Sequence, residues 1–169
     1  MRGATERRWP WFVLSAVLVG ADQLVKFLVR SNMALGQREP FIPYILELYH
    51  IRNTGAAFSL LAGHTWVLTI LSAVIALALA AAMSSRRWLR GGWGRTAGAL
   101  LLAGAVGNLI DRVVFGYVTD MFDFAFMTFG VFNVADVCVV AGVAVLAVYF
   151  WRQSGKETED GTNPADGRD

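Results

Sequence analysis

Four long apolar runs organise the chain: Trp11 to Val29, Trp66 to Met83, Thr96 to Phe115 and Val131 to Trp151. Each is close to the roughly 20 mostly apolar residues that a helix needs to cross a bilayer core of about 30 Å. Between the first two runs, in Ser31 to Thr65, the pattern changes. In "PFIPYILELYHIRN" the residues Ile45, Glu47, Tyr49 and Ile51 alternate in part with Leu46, Leu48, His50 and Arg52, and the stretch is rich in Ile, Tyr and Phe. That predicts one or more strands. The expected architecture is an all-α membrane protein: four transmembrane helices, a small extracytoplasmic β element within about 31–65, and a short extracytoplasmic loop or helix at 116–130. Residues 1–155 form a single domain on this reading. The tail at 156–169 is polar, acidic and glycine-containing, and is expected to be disordered.

The first run has an alternative reading. Arg7 and Arg8 followed by an apolar stretch and the small residues Val19, Gly20 and Ala21 resemble a cleavable signal peptide. Against it, the helical pattern continues past Ala21 through Leu24, Val25, Phe27 and Leu28, and three more runs follow. Basic residues set the orientation. Arg2, Arg7 and Arg8 precede the first run, Arg86, Arg87, Arg90 and Arg95 crowd the second connection, and Arg152 and Lys156 flank the fourth run. Both termini and that connection are therefore expected on the cytoplasmic side, with 30–65 and 116–130 facing outward.

Composition agrees with a membrane protein: 56% of the 169 residues are hydrophobic and mean hydropathy is +0.48, more than a soluble domain of this length usually carries. The net charge of +2 is small and its basic residues sit in clusters, which argues against a nucleic-acid partner. Cys138 is the lone cysteine, so no intrachain disulfide or cysteine-based metal cluster can form. His50 and His64 make no His-Glu-x-x-His, so neither a metal site nor a cofactor is expected. Ser15 and Ser72 have no evident base.

Polar residues inside the runs carry the candidate chemistry. Asp22 and Lys26 are one helical turn apart with the acid first, the better order for an ion pair. "GNLIDR" puts Asn108, Asp111 and Arg112 on one face, and Asn133 and Asp136 stand three apart near the outer end of the fourth run. An ionisable group at the centre of a membrane helix costs about 2.5 to 3.5 kcal/mol. Asp22, Lys26, Asp111, Arg112 and Asp136 together would cost on the order of 10 kcal/mol, as much as a whole domain's stability. They must be grouped, paired or hydrated. Ala103 and Gly107, a small-xxx-small pair, would let helices approach closely enough for grouping, and Gly55, Ala56 and Ala57 beside Asn53 would allow another close backbone approach.

Arg112, Asp120 and Asp136 are expected at one depth. Two facing carboxylates, Asp120 and Asp136, cannot both ionise at short range, so they would share one proton and could activate a water between them, as in an aspartic protease. Asp123 lies on the same side as Asp120 if the loop is helical, and spacing alone does not choose between them. Intramembrane carboxylates also serve proton-coupled transporters, but the internal repeats and broken helices of that class are not visible. A purely structural subunit would leave these polar groups without a use.

The motifs "DQLVK" (22–26), "RNTGAAFS" (52–59), "GNLIDR" (107–112), "GYVTDMFDF" (116–124) and "FNVADV" (132–137), in this order, resemble the lipoprotein signal peptidases, or signal peptidase II family, of bacterial membrane aspartyl proteases. The resemblance implies that Asp120 and Asp136 are the catalytic pair, and that Asp22, Lys26, Asn53, Gly55, Asn108, Arg112 and Asn133 support the site. It implies a bacterial inner-membrane enzyme that acts on prolipoproteins, cutting before a diacylglyceryl-modified cysteine, and inhibition by globomycin-type peptides. Membrane lipids would be its surroundings. Ala103-Gly104 where the family commonly has two glycines, and "TDMFDF" for a more usual "VDFIDF", keep size or apolarity. Phe122, Phe124, Phe126, Met127 and Phe129 would clamp a substrate from above or anchor at the interface.

Overall fold

The structure, a computed structural model, describes residues 7–55, 64–85 and 89–160, with 154–160 as backbone alone. Arg2, Ala56, Ala57, Arg86, Arg87 and the tail from 161 onward lie outside the described residues, as does the side chain of Lys156. The element order is α1 (Trp9–Asn32), β1 (Arg38–Ile42), β2 (Leu46–Asn53), α2 (Thr65–Ser84), α3 (Gly91–Phe115), β3 (Val118–Phe124) and α4 (Val134–Asp160). Four helical segments are long and apolar enough to cross a membrane: Trp9–Asn32, Thr65–Ser84, Gly91–Phe115 and Val134–Gln153. The four-span expectation holds within a few residues at most ends. The backbone of α4 stays helical to Asp160, past the point where the polar tail begins.

Helix α3 is the centre of the bundle and packs against α1, α2 and α4. Its small residues explain this. Ala97, Gly98, Ala99, Ala103, Gly104 and Gly107 are all buried, so neighbouring backbones come close where a larger side chain would hold them apart. An apolar cluster of Ala76, Met83, Ala99 and Leu102, joined by Trp11, Phe12 and Leu14, fills one end. The same end collects basic groups: the Arg8 guanidinium donates to the Ser84 carbonyl, Arg95 reaches the Arg7 carbonyl, and Arg152 stacks over Trp93. The four helices thus run in alternating directions, reversing three times.

A three-stranded antiparallel sheet in the order β1-β2-β3 caps the opposite end. β2 falls within the stretch read as strand from its alternation. The segment 116–130, expected as loop or helix, instead contains β3. Its first four residues, Val118 to Met121, are all buried, so both faces of the strand are covered and no apolar/polar alternation marks it. Gly116 makes the corner from α3 into β3: it adopts φ +75° and its N–H caps the Arg112 carbonyl, a left-handed ending that suits glycine. Phe132 then exchanges backbone hydrogen bonds with Phe122, covering the outer edge of β3. β1 is the open edge. Its residues are all exposed and include Arg38, Glu39 and Pro40. Val29, Met33 and Met121 lock the sheet onto α1.

Candidate active site

The polar residues expected inside the spans converge where α1, α3, the start of α4 and the sheet meet. Local structure begins with Asn133. Expected inside the fourth span, it precedes α4 instead, because Phe132 is drawn into pairing with β3. Its Oδ1 accepts the Asp136 N–H at 3.0 Å and its own N–H donates to Asp136 Oδ2 at 3.1 Å. This reciprocal capping box satisfies groups that a buried helix start would otherwise leave unpaired. Asp22 Oδ1 takes the next one, the Ala135 N–H, at 2.8 Å, and places a carboxylate at the positive end of the helix dipole.

Asp120, on β3, and Asp136, on α4, meet through the same asparagine. Asn133 Nδ2 donates to Asp120 Oδ1 at 2.6 Å, while its backbone holds Asp136. Asn53 Nδ2, from the end of β2, donates to Asp120 Oδ2 at 2.9 Å, and Asn108 Nδ2 donates to Asp136 Oδ1 at 2.8 Å. Each carboxylate therefore has a donor on both oxygens. Asn53 Oδ1 accepts the Gly55 N–H at 2.9 Å. Burial, reinforced by the negative charge of Asp136, pushes the Asp120 carboxyl up to about 7, against the opposing donors Asn53 and Asn133.

Both carboxylates line one cavity of about 640 Å³, whose other walls are largely apolar: Phe124, Phe129 and Phe132 on the sheet side, and Val137, Val140 and Ala144 along α4. Asn53, Asn108 and Arg112 complete its polar end. Arg112 donates to the Gly55 carbonyl at 3.3 Å and to Ser72 Oγ at 3.4 Å. Both bonds are long, and its buried Nε has no partner among the described residues, so the guanidinium retains donor capacity beside the cavity.

Asp123 does not join. In a strand, residues three apart point to opposite faces, and Asp123 turns away from the cavity to Arg38 at 2.8 Å, which also pairs with Glu47 at 2.9 Å. The helical geometry that would have put it beside Asp120 is absent.

Behind the two aspartates lies a charge cluster larger than the expected Asp22–Lys26 pair. That pair is present at 2.9 Å, and Asp111 adds a second carboxylate 3.7 Å from Lys26 Nζ and 3.7 Å from Arg30. Lys26, Asp22 and Asp111 are at most 1% exposed. Lys26 also donates to Asn108 Oδ1 at 3.0 Å. Gln23 and Arg30, not singled out from sequence, both belong here: Gln23 Nε2 touches Asp22 and Asp111 at 3.1 Å each, and Arg30 donates to Thr119 Oγ1 at 2.9 Å. Asp22, Lys26 and Arg30 follow one another at i, i+4 and i+8, a spacing that would have revealed Arg30 as the next member of the stripe.

Comparisons with known proteins identify the family to which the fold belongs. A family model described as signal peptidase (SPase) II matches residues 14–152. The chain is 42% identical over 158 residues to the lipoprotein signal peptidase of Enterococcus faecalis (strain ATCC 700802 / V583), covering 90% of this chain and 96% of that protein. It is 39% identical over 143 residues to the lipoprotein signal peptidase of Streptococcus pyogenes serotype M2 (strain MGAS10270), covering 84% and 93%. A bacterial membrane enzyme solved by the in meso method at 2.3 Å superposes with a TM-score of 0.78 at 28% identity, covering 95% of this chain and 94% of that one. A second, at 1.9 Å, superposes with a TM-score of 0.75 at 30% identity, covering 83% and 92%. With the match spanning all four helices and the sheet, the chain belongs to the signal peptidase II family of membrane proteases.

Proposed function

We propose that the protein removes signal peptides from bacterial prolipoproteins, cutting before a diacylglyceryl-modified cysteine, with Asp120 and Asp136 as an aspartic dyad. The observation that carries this reading is the pair itself: two carboxylates from separate elements, linked through Asn133, at the polar end of an apolar cavity. A dyad of this kind carries one proton between its members. The ionised member takes a proton from a water as the water oxygen attacks the scissile carbonyl carbon. The protonated member gives its proton to the carbonyl oxygen. In the resulting gem-diol, transfer of a proton to the amide nitrogen lets the C–N bond break, and the dyad again holds one proton. Asn53, Asn108 and Asn133 fix the four carboxylate oxygens, and Arg112 can donate to a substrate carbonyl.

The apolar cavity walls suit a substrate whose signal segment and acyl chains stay in the bilayer. The clustering of basic residues at the opposite end supports a cytoplasmic location for both termini and an active site near the outer face of the inner membrane. Globomycin-type peptides would compete for the same cavity.

The test is cleavage of a diacylglyceryl-modified prolipoprotein by purified protein, with products read by mass spectrometry. Asp120→Asn and Asp136→Asn should insert and fold but not cleave. Full cleavage by either removes the dyad assignment, and equal cleavage of an unlipidated precursor removes the lipid requirement.

A further inference from the structure

The buried cluster around Lys26 is more than an ion pair sheltered from lipid. Burying such a pair is weak evidence for stability, since well-packed apolar side chains often serve as well. What distinguishes this cluster is where its carboxylates reach. Asp22 Oδ1 accepts the N–H of Ala135, the residue before Asp136, at 2.8 Å. Asp111 Oδ2 accepts the N–H of Thr119, the residue before Asp120, also at 2.8 Å. Each acid therefore clamps the backbone one residue upstream of one member of the dyad. Lys26 Nζ contacts both acids, at 2.9 and 3.7 Å, and Gln23 straps them together.

Lys26 also sets the direction of an amide. Asn108 Oδ1 accepts from Lys26 Nζ at 3.0 Å and from Asn133 Nδ2 at 3.1 Å. An ammonium can only donate, so the oxygen of Asn108 must face it, and Nδ2 is left to donate to Asp136. Without Lys26 the amide could flip and present an oxygen to the Asp136 carboxylate.

We propose that Lys26, acting with Asp22 and Asp111, is a positioning residue that fixes the separation of the two reacting aspartates and the donor pattern around them. The inference rests on the dyad reading above. The charged groups facing Lys26 are Asp22 on its own helix and Asp111 on α3, with Arg30 beyond Asp111. The dyad acids on β3 and α4 lie across Asn108, and Arg112 faces them from α3. The positive charge of Lys26 also favours the ionised form of Asp120.

The experiment uses the full chain in lipid nanodiscs and a diacylglyceryl-modified prolipoprotein. Lys26→Met should lower kcat on the order of 100-fold, the cost of displacing a reacting group by about 1 Å, with KM little changed. Its pH-rate profile should move upward by on the order of one unit, because a cation near the dyad is gone. Lys26→Arg should restore the profile but not the full kcat, since the forked guanidinium does not fit a slot shaped for an ammonium. Asp22→Asn, which keeps an oxygen for Ala135, should retain more kcat than Asp22→Ala. Ser15→Ala, which removes a buried hydroxyl bonded to Ala99, should lower Tm and leave the profile alone.

Parent-like kcat and profile in folded Lys26→Met would overturn the proposal. So would a loss that disappears on normalising to the folded fraction. If Lys26→Met fails to fold, the aspartate pair decides: equal kcat in Asp22→Asn and Asp22→Ala overturns the clamp. Asp120→Asn and Asp136→Asn run in parallel. Cleavage by these removes the dyad reading itself, whereas inactive dyad variants beside a parent-like Lys26→Met remove only the positioning role.

Discussion

Replacing Gly104 by alanine would force the two helices that carry the site apart. A Cβ there would lie 2.5 Å from the Ala135 carbonyl oxygen and 2.5 Å from Val139 Cγ2, whereas ordinary contact begins at 3.4 Å. Val139 can rotate, but the Ala135 oxygen belongs to the backbone. Relief requires α4 to move by about 0.9 Å relative to α3, the gap between those two distances. Ala135 is bonded to Asp136, while Asp120, although bonded to Asn133, is held in a sheet that packs on α1 and follows only in part. The displacement therefore opens the proposed dyad. Overpacking of this kind costs about 1–3 kcal/mol of stability, and a 1 Å misplacement of a reacting group costs on the order of 100-fold in rate. The assay is kcat and KM for prolipoprotein cleavage beside Tm in the same nanodiscs. Gly20→Ala, where the new methyl meets nothing within 4 Å, is the control and should keep parent activity. A folded Gly104→Ala enzyme with parent kcat would refute the claim that α3–α4 spacing sets the geometry of the dyad.

Four further outcomes follow from the same geometry. Folded Asp120 holds its proton up to about 7 against an ordinary 3.8, so the native state binds more protons than the unfolded chain in that window. Its contribution to stability is fully present below about 3.8 and is lost as pH rises through about 7; Tm measured from pH 4 to 8 should show this slope, and Asp120→Asn should flatten it. Cleavage should likewise fall above about pH 7, where the dyad gives up its proton, and a rate still climbing to pH 9 would contradict that. Asp123→Asn breaks only the Arg38 pair, which is half-exposed on the arginine side, so it should cost roughly 0.2–1 kcal/mol and cleave like the parent. Met121→Ala empties a fully buried position between the sheet and α1; hydrogen exchange should show the sheet loosened by about 2–5 kcal/mol, the usual range for such truncations.

The parts of this molecule that announce themselves in sequence are those with a period. The four spans and β2 follow from hydropathy and alternation, and Asp22 with Lys26 from a one-turn spacing. Strand β3 was hidden because Val118, Thr119, Asp120 and Met121 are buried alike, so its two faces carry no contrast. Without that strand Asp123 rivals Asp120 in sequence; the period of two separates them, since residues three apart in a strand point to opposite faces. "FNVADV" continues an apolar run and so reads as helix throughout, whereas Asn133 stands just before the helix and caps it. The convergence of Asp22 on Ala135 and of Asp111 on Thr119 has no local signature, since it joins residues 113 and 8 positions apart through tertiary packing.

The exposed strand β1 bears on how many copies the bilayer can hold. Embedded proteins diffuse in a plane, so the caps of neighbouring copies meet at equal height and in a narrow range of tilts. An unguarded border on each would zip to its neighbour through backbone hydrogen bonds. Proline at position 40 withholds one donor, and the flanking arginine and glutamate keep their water. Crowding can then rise without the caps polymerising, and each molecule stays free to meet its next precursor.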